Sequence, residues 1–377
     1  MPDLSIADIA SQQAQSWTRR EILQQPETLR ATQAVLASGQ AQIDAFLAPV
    51  LAQADLRIML CGAGTSAFIG ECLAPWLSAT LGRRVEAVAT TDIVAAPRLH
   101  LDRRPTLMVS FGRSGSSPES VAAVDLADSH IPAIHHLVIT CNAQGELARR
   151  QAAHVHVVVL PEATHDRAFA MTSSFSAMMY SALAILTGIT TMDMRAAAIA
   201  EAVEAILPAA DTVAAELAER DFERVVYLGS GVFQGLAREA ALKLLELTDG
   251  TIPTMFDSSL GFRHGPKTIV NPRTLVVVFV SNDPLTRLYD LDIIEELRGD
   301  GVCGAVLAIA AQDAPGAVLG IAGGAGLADV DLLFPAIVPA QLFGLHCSLR
   351  QGRTPDRPNA SGTVNRVVQG VRIHTQG

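Results

Sequence analysis

Short apolar runs that each end in a glycine- and serine-rich turn recur along this 377-residue chain. Residues 56–61 (LRIMLC) lead into GAGTS, residues 106–111 (TLMVSF) into GRSGSSPES, and residues 224–228 (RVVYL) into GSGVFQG. An apolar run without polar alternation is typical of a strand that is buried on both faces of a parallel sheet. Because a helical stretch follows each turn, the pattern predicts an α/β fold with helix-covered parallel sheets.

The same plan occurs twice, which indicates an internal duplication. LCGAGTSAFIGE and YLGSGVFQGLAR each read as a strand, a Gly/Ser turn and a helix, and a long Ala-rich helix at residues 194–220 separates the two halves. We expect the domain boundary near residues 190–211. Further strands are predicted at residues 85–89, 137–140, 156–160, 274–280, 302–309 and 332–334, and a further helix at 285–298.

The two ends of the chain differ from this α/β pattern. Residues 5–19, 26–38 and 40–54 read as helices, with Gly39 separating the last two. Residues rich in Pro, Gly, Asn and Arg at the other end predict an extended tail that lies on the protein. The predicted division is a helical segment at 1–50, α/β domains at 51–195 and 205–350, and the tail at 351–377.

Composition excludes several classes of function. The formal net charge is -10 and no basic patch is evident, which argues against a nucleic-acid partner. The five cysteines are scattered without a CxxC pair, so neither a disulfide framework nor a zinc site is predicted. The N-terminus lacks the pattern of a signal peptide, and no run approaches ~20 uninterrupted apolar residues. We expect a cytoplasmic protein without a membrane partner.

The strongest signal for anion binding is Ser114-Gly115-Ser116-Ser117, between a buried strand and a helix that Pro118 can begin. A helix N-terminus offers unpaired N–H donors and a partial positive charge, and the three hydroxyls add donors without net charge. This combination suits a phosphate monoester in an acidic protein. The alternative is an ordinary serine N-cap.

A second turn, Gly62-Ala63-Gly64-Thr65-Ser66, also follows a strand. A dinucleotide-binding turn is disfavoured, because the third glycine of G-x-G-x-x-G is missing and no acidic residue closes the next strand before Asp92. We expect Thr65 and Ser66 to face the same pocket as Ser114.

Glu239, Lys243 and Glu246 lie along one helical stripe, and His264 and Lys267 follow in a Gly-bounded segment. Two carboxylates, an amine and a histidine are groups that move protons near neutral pH. The alternative is a solvent-exposed Glu239–Lys243 pair worth ~0.3–0.5 kcal/mol, with a structural histidine in the loop.

Other candidate residues carry weaker signals. His165-Asp166 reads as loop structure that could line the site, and Ser114 lacks the sequence context of a hydrolase nucleophile. His154 and His156 alternate on a strand without nearby carboxylates, so no metal site is predicted there.

These motifs resemble those of a known family. SFGRSGSSPES and GAGTS resemble the sugar isomerase (SIS) domain, a flavodoxin-like three-layer α/β/α fold that binds phosphosugars. ALKLLELT followed by HGP resembles the isomerase part of glucosamine-6-phosphate synthase, which has two such domains in tandem. WTRREILQQPETL and SGTVNRVVQG resemble the AgaS branch, described as galactosamine-6-phosphate deaminase/isomerase or tagatose-6-phosphate ketose/aldose isomerase.

The resemblance implies two tandem SIS domains after N-terminal helices, in a homodimer whose sites are completed by a neighbour's histidine. It makes Glu246 the isomerising base and His264 the ring-opening residue, with Glu239 and Lys243 lining the site. Gly112 stands where the synthase has a phosphate-binding serine, and Asn365-Arg366 where it has a substrate-facing lysine, so enolisation without a tail Schiff base is favoured. The implied phosphate ligands are Ser66, Ser114 and Ser117, with Thr65 and Ser116 beside them.

The implied reaction converts galactosamine 6-phosphate into tagatose 6-phosphate and ammonia, a route that needs no metal or redox cofactor. Three alternatives remain open from the sequence. The chain could isomerise a hexose phosphate without deamination, serve as a non-catalytic phosphosugar-binding regulator, or be a nucleotide-dependent enzyme.

Overall fold

The computed structural model of the protein describes residues 16–368 and 370–374, which contain two parallel sheets. The strands of the first are β1 (Arg57–Gly62), β2 (Val85–Ala89), β3 (Thr106–Gly112), β4 (Ile134–Thr140) and β5 (Val155–Val159). They lie in the order β2-β1-β3-β4-β5, and each neighbouring pair is parallel. All six residues of β1 are buried, as its uninterrupted apolar run predicts.

The second sheet repeats the first. Its strands are β6 (Arg224–Gly229), β7 (Thr254–Asp257), β8 (Thr274–Phe279), β9 (Ala305–Ala310) and β10 (Ala317–Gly320). They lie in the order β10-β9-β8-β6-β7, also all parallel. Counted from its own first strand, each sheet has the flavodoxin-like order 2-1-3-4-5. The predicted duplication and fold class are therefore confirmed.

Helices connect the strands and cover the sheets. The helix Pro118–His130 begins with proline in its first turn. The helix Pro284–Asp300 begins after an Asp283 cap, whose carboxylate accepts hydrogen bonds from the N–H groups of Leu285 and Thr286. The helices are α1 (Trp17–Leu23), α2 (Gln25–Leu51), α3 (Thr65–Leu81), α4 (Thr90–Ala95), α5 (Pro97–His100), α6 (Pro118–His130), α7 (Ser173–Thr187), α8 (Asp193–Ala218), α9 (Val232–Leu247), α10 (Pro284–Asp300) and α11 (Asp329–Arg350).

The described residues form two compact units. One holds the second sheet and consists of residues 16–26, Arg167–Thr172 and Ala197–Gly362. The other holds the first sheet and consists of Glu27–Asp166, Ser173–Ala196 and the described residues after 362. The sequence-based domain boundaries stay predictions.

The predicted break at Gly39 is wrong, because α2 continues through it from Gln25 to Leu51. A Cβ at Gly39 would meet only the Ile43 side chain, at 3.8 Å, so no special backbone geometry requires glycine here. The helix continues because one apolar stripe runs through this position, at a cost of ~1 kcal/mol relative to alanine. The buried residues of this stripe are Leu29, Leu36, Ile43, Leu47 and Val50.

The predicted strand at residues 332–334 is also wrong, because these residues lie within α11. α11 is buried around almost its whole circumference, so it lacks the polar face that distinguishes a helix from a buried strand in a short apolar run. α2 and α11 have the length and apolar composition of membrane-spanning helices, but 94% of the apolar window of α11 is buried inside the protein. α11 is therefore a core helix of its unit.

Two edge strands were not predicted, β7 and β10. β7 is half-buried throughout and β10 is mostly exposed, so neither carries the apolar run that marks the central strands. At the ends of the chain, part of the predicted helix 5–19 lies outside the described residues. The described residues after α11 contain no helix or strand, as predicted for the tail.

Candidate active site

The predicted polar stripe lies on α9 and is held together by ion pairs. The Lys243 Nζ atom lies 2.5 Å from Oε2 of Glu246 and 3.4 Å from Oε1 of Glu239. The side chains of Glu239 and Lys243 are 0% exposed, whereas that of Glu246 is 23% exposed. The alternative of a solvent-exposed pair is therefore wrong, since the pair lies in the interior and only Glu246 reaches the surface.

α11 covers α9 at close range and explains the burial of this stripe. A Cβ at Gly344 of α11 would lie 2.8 Å from the Leu247 side chain and 3.4 Å from the Lys243 carbonyl oxygen. The absence of a side chain at Gly344 lets the two helices approach. A buried lysine is costly unless it is paired, and the two glutamates supply the pairing.

His264 lies on an exposed loop that is anchored on α10. Arg263 Nε lies 2.6 Å from Glu296, and Lys267 pairs with Glu296 and, at 2.5 Å, with Asp300. The His264 side chain itself is exposed. Among the described residues, no hydrogen bond or ion pair joins His264 to the α9 stripe, so the structure shows no polar contact between the two predicted catalytic elements within one chain.

The serine turn lies at the carboxyl end of β3 and is braced from β4. Gly115 has a φ of 63°, a conformation that favours glycine. The Thr140 hydroxyl donates to the Gly112 carbonyl at 2.6 Å, and the Asn142 amide donates to the Ser114 carbonyl at 2.9 Å. Thr140 and Asn142 were missed in the sequence because they lie at the end of a different strand and just after it.

The three serine hydroxyls of the turn have different surroundings. Ser114 Oγ accepts a hydrogen bond from the Ser116 N–H at 3.3 Å, and Ser116 Oγ accepts one from the Glu146 N–H at 3.0 Å. Ser117 Oγ donates to Ser120 Oγ at 2.7 Å and makes no capping hydrogen bond to the helix backbone. Ser117 thus occupies the N-cap position of α6, but its hydroxyl does not cap the helix backbone.

The second predicted turn lies beside the serine turn in the fold. α3 begins at Thr65 and Ser66, both buried, at the carboxyl end of β1. β1 and β3 are neighbours, and the strand order reverses between them. In open α/β sheets this switch point is where ligands bind. The fold thus places both predicted turns at the expected edge of the first sheet.

Arg113 is a buried cation beside the serine turn that the sequence reasoning passed over. It is 6% exposed and donates a hydrogen bond to the Arg366 carbonyl at 2.7 Å. Arg366 of the tail in turn donates to the Asp166 carbonyl. The Asp166 carboxylate accepts from the Ser173 hydroxyl at 2.5 Å and from the Ser174 N–H at 2.9 Å, so it anchors the start of α7.

The switch point of the second sheet is closed by the protein's own carboxylates. Asp290 is fully buried and accepts hydrogen bonds from Ser230 Oγ at 3.0 Å, Ser259 Oγ at 2.5 Å and the Ser281 N–H at 3.0 Å. Burial raises the pKa of Asp290, and these hydrogen bonds oppose that shift. Asp329 accepts from the Asn282 N–H at 2.6 Å. The donors that an anion would need are therefore already used in this half.

His154 does have a nearby carboxylate, contrary to the premise from which its metal role was disfavoured. Asp128 Oδ1 lies 3.3 Å from His154 Nε2 and 2.9 Å from His136 Nε2. A metal on His136 Nε2 would require a proton on Nδ1, yet that atom is buried without a hydrogen-bond partner, and ligand histidines normally have one. Arg150 also pairs with the Asp128 carboxylate. The arrangement fits a hydrogen-bonded ion cluster better than a metal centre.

This cluster predicts a pH dependence of stability. Burial lowers the pKa of His136, although the hydrogen bond to Asp128 opposes the shift. The unfolded chain therefore takes up a proton below pH ~6.5 before the folded chain does, so stability that is present above pH ~6.5 is lost as pH falls. In His136→Gln we expect the decline of unfolding free energy from pH 6.5 to 5 to be shallower by up to ~1.4 kcal/mol per pH unit. Urea unfolding at several pH values measures this, and equal slopes would contradict it.

Comparison with known proteins gives one consistent result. A model of the SIS domain matches residues 50–188. The D-galactosamine-6-phosphate deaminase AgaS of Escherichia coli is 46% identical over 371 residues, covering 95% of this chain and 96% of that protein. The AgaS deaminase of Shewanella sp. strain ANA-3 is 42% identical over 374 residues, covering 98% and 94%. The crystal structure of tagatose-6-phosphate ketose/aldose isomerase from Escherichia coli superposes with a TM-score of 0.88 at 42% identity, covering 96% and 97%.

Proposed function

The chain belongs to the AgaS family of SIS-domain proteins, and from this premise we propose that it is an enzyme that converts galactosamine 6-phosphate and water into tagatose 6-phosphate and ammonia. The observation that carries the proposal is the α9 stripe, a fully buried lysine between two glutamates of which one reaches the surface. Such a partly exposed carboxylate, fixed by a buried cation, is suited to moving a proton on a bound sugar.

Glu246 takes the C2 proton of the ring-opened amino sugar and returns it to C1. The electron pair of the C2–H bond forms a C1–C2 double bond as the aldehyde oxygen takes a proton, which gives an enolamine. Protonation at C1, with loss of a proton from nitrogen, then leaves a C2 imine. Water adds to that imine and the C–N bond breaks. Ammonia is released and the ketose phosphate remains. Lys243, 2.5 Å from Glu246, keeps the carboxylate in place and offsets negative charge that develops on the sugar.

His264 opens the sugar ring before this step, because an imidazole has one nitrogen that can donate a proton and one that can accept it. It can therefore transfer a proton between the ring oxygen and the hydroxyl group. We place it in the site of a neighbouring subunit of a homodimer. Its exposure on a loop anchored by Arg263 and Lys267 supports that assignment, as does the lack of a described contact with its own α9 stripe.

The serine turn binds the phosphate. Ser114 and Ser117, with Thr65 and Ser66 at the start of α3, offer hydroxyls at the switch point of the first sheet. Ser116, whose hydroxyl accepts a hydrogen bond from the Glu146 N–H, lies beside them. Buried Arg113 supplies positive charge next to the turn.

The conformation of the turn gives a specific expectation. Gly115→Ala places a side chain at φ 63°, with its Cβ 3.0 Å from Thr140 Oγ1, which costs ~1–2 kcal/mol and displaces the serines. We expect KM for the phosphosugar to rise about tenfold, with a smaller change in kcat. Gly320→Ala is the matched control, since a Cβ at this position would have nothing within 4 Å and its φ is not positive. An unchanged KM in Gly115→Ala would contradict the phosphate role.

We also propose that the protein acts in the cytoplasm. All five cysteines are described and free, and burial raises the pKa of both Cys61 and Cys141 to about 12, so these thiols stay protonated and unreactive. A reducing compartment suits such cysteines.

A second candidate function is ketose/aldose isomerisation without deamination. The relative named as a tagatose-6-phosphate ketose/aldose isomerase favours it, and the same Glu246 chemistry serves both reactions. The two candidates differ in the substrate's substituent at C2, which is an amine that leaves in the first and an oxygen that stays in the second.

The test is a steady-state assay of ammonia release from galactosamine 6-phosphate, run beside glucosamine 6-phosphate. The proposal expects ammonia from galactosamine 6-phosphate with a higher kcat/KM than from the gluco sugar. Turnover of tagatose 6-phosphate to an aldose without ammonia from either hexosamine phosphate would instead establish the second candidate.

A further inference from the structure

An open cavity of about 780 Å³ lies at the amino-terminal edge of the first sheet, the edge opposite the serine turn. Five arginines line it, which are Arg57, Arg83, Arg84, Arg103 and Arg104. Two acidic residues, Asp55 and Asp102, share the lining. Such a concentration of arginine is unexpected in a chain whose formal net charge is -10.

The register of three neighbouring strands brings these arginines together. The Arg57 N–H at the start of β1 donates to the Pro105 carbonyl before β3, at 2.9 Å. The Ile58 N–H donates to the Arg84 carbonyl before β2, at 3.3 Å. The segments that precede β1, β2 and β3 therefore meet at one edge, and the cluster is fixed by the sheet itself.

Part of this positive charge is neutralised within the protein. Arg57 forms two hydrogen bonds with Glu86, at 3.0 and 2.6 Å, and Arg84 Nε lies 2.6 Å from the same carboxylate. Arg104 Nε lies 2.9 Å from Asp102. With Asp55 counted as well, five cations face three anions, which leaves two positive charges on the cavity.

The two remaining arginines are Arg83 and Arg103. Nη1 of Arg83 is buried and has no hydrogen-bond partner, and no described residue forms an ion pair with Arg103. The position of Arg83 and Arg84 after the C-terminus of α3 is favourable for cations. That effect does not account for Arg103. Among the described residues no carboxylate pairs with either Arg83 or Arg103, so both guanidinium charges remain for a ligand.

We propose that this cavity binds a small multivalent phosphate anion, held by the forked donors of Arg83 and Arg103. Planar guanidinium groups bind phosphate oxygens in pairs, and a ligand with two or more negative charges matches the surplus on the cavity. The six residues of β1, at ~3.3 Å each, separate the cavity from the serine turn by roughly 20 Å. The ligand is therefore an effector and not the substrate, and the site does not depend on the proposed reaction.

Titration calorimetry with inorganic pyrophosphate tests the proposal on the full-length protein. We expect wild type to bind it, and Arg83→Gln/Arg103→Gln to bind about tenfold more weakly or less. Arg98→Gln, which removes an exposed arginine of α5 in the same unit, is the charge-matched control and should change little. Binding by the wild type should also weaken as salt is raised.

The serine turn could bind the probe as well, so Ser114→Ala/Ser117→Ala is measured in parallel. Pyrophosphate binding that survives in the serine variant and is lost in the double arginine variant supports the cavity. Three results would overturn the proposal: no binding by wild type, loss in the serine variant alone, or equal weakening by Arg98→Gln. Sedimentation of the double arginine variant as a smaller species, with no pyrophosphate binding by wild type, would identify the cavity as a protein interface instead.

Discussion

Ammonia release from galactosamine 6-phosphate is expected to fall by about 10²–10⁴-fold in Glu246→Gln, while substrate binding is retained. Glutamine keeps the size of the side chain and a hydrogen bond to Lys243, but it cannot accept the C2 proton. The loss should therefore appear in kcat, with KM nearly unchanged. Steady-state assays of ammonia and ketose product measure both parameters.

The matched control is Glu216→Gln, which removes an exposed carboxylate from α8 in the same unit. Its kcat should equal that of the wild type. Glu246→Asp keeps the charge but shortens the side chain, so partial activity is expected from it. Wild-type turnover in Glu246→Gln would remove Glu246 from the mechanism.

Lys243→Met is expected to lower the free energy of unfolding by about 3–5 kcal/mol. Methionine fills a similar volume, but it leaves Glu239 fully buried and Glu246 largely buried without their shared cation. Much of the loss should be regained in Glu239→Gln/Lys243→Met, because that double variant removes one of the stranded charges. Urea unfolding at pH 7 measures the three proteins.

The chain has only one other lysine, and it provides the control. Lys267 pairs with Glu296 and Asp300 at the surface, with a side chain that is 26% exposed. Partly exposed pairs contribute about 0–1 kcal/mol, so Lys267→Met should stay within that range. If both variants lost the same free energy of unfolding, the burial of Lys243 would not determine how much this residue contributes to stability.

The spacing of Glu239, Lys243 and Glu246 predicted their common face but not their depth. Periodicity defines which side chains share a stripe, whereas burial depends on what covers the stripe. Here the cover is α11, nearly a hundred residues later, and its approach depends on the missing side chain of Gly344. No local signal near Lys243 carries that information.

α11 also shows why the class of a buried element is hard to read from sequence. The central strands β1, β3 and β6 were predicted because each ends in a glycine turn and a helix, and β8 because a helix follows its apolar run. No glycine turn follows the run at 332–334, and a helix that is buried on all sides shows no amphipathic period. Edge strands such as β10 are missed for a different reason, because they carry too few buried apolar residues to form a recognisable run.

The two halves of the duplication share a fold but differ in whether the switch point of the sheet can accept an anion. Their strand orders agree, and both turns at the switch points were visible in the sequence. The sequence did not show that Asp290 of α10 and Asp329 of α11 accept hydrogen bonds from the backbone N–H groups that follow β8, at the switch point of the second sheet. A repeat in sequence therefore predicted the architecture of both halves, but tertiary contacts decide which half can accept an anion.

The central claim is that nitrogen leaves C2 of an amino-sugar phosphate as part of the same turnover that forms the ketose. The direct measurement is a time course on galactosamine 6-phosphate in which ammonia and tagatose 6-phosphate are quantified in the same samples. The account predicts that both products rise together in a 1:1 ratio, and that both disappear in Glu246→Gln. Ketose formation without ammonia, or no product from the wild-type protein, would contradict it.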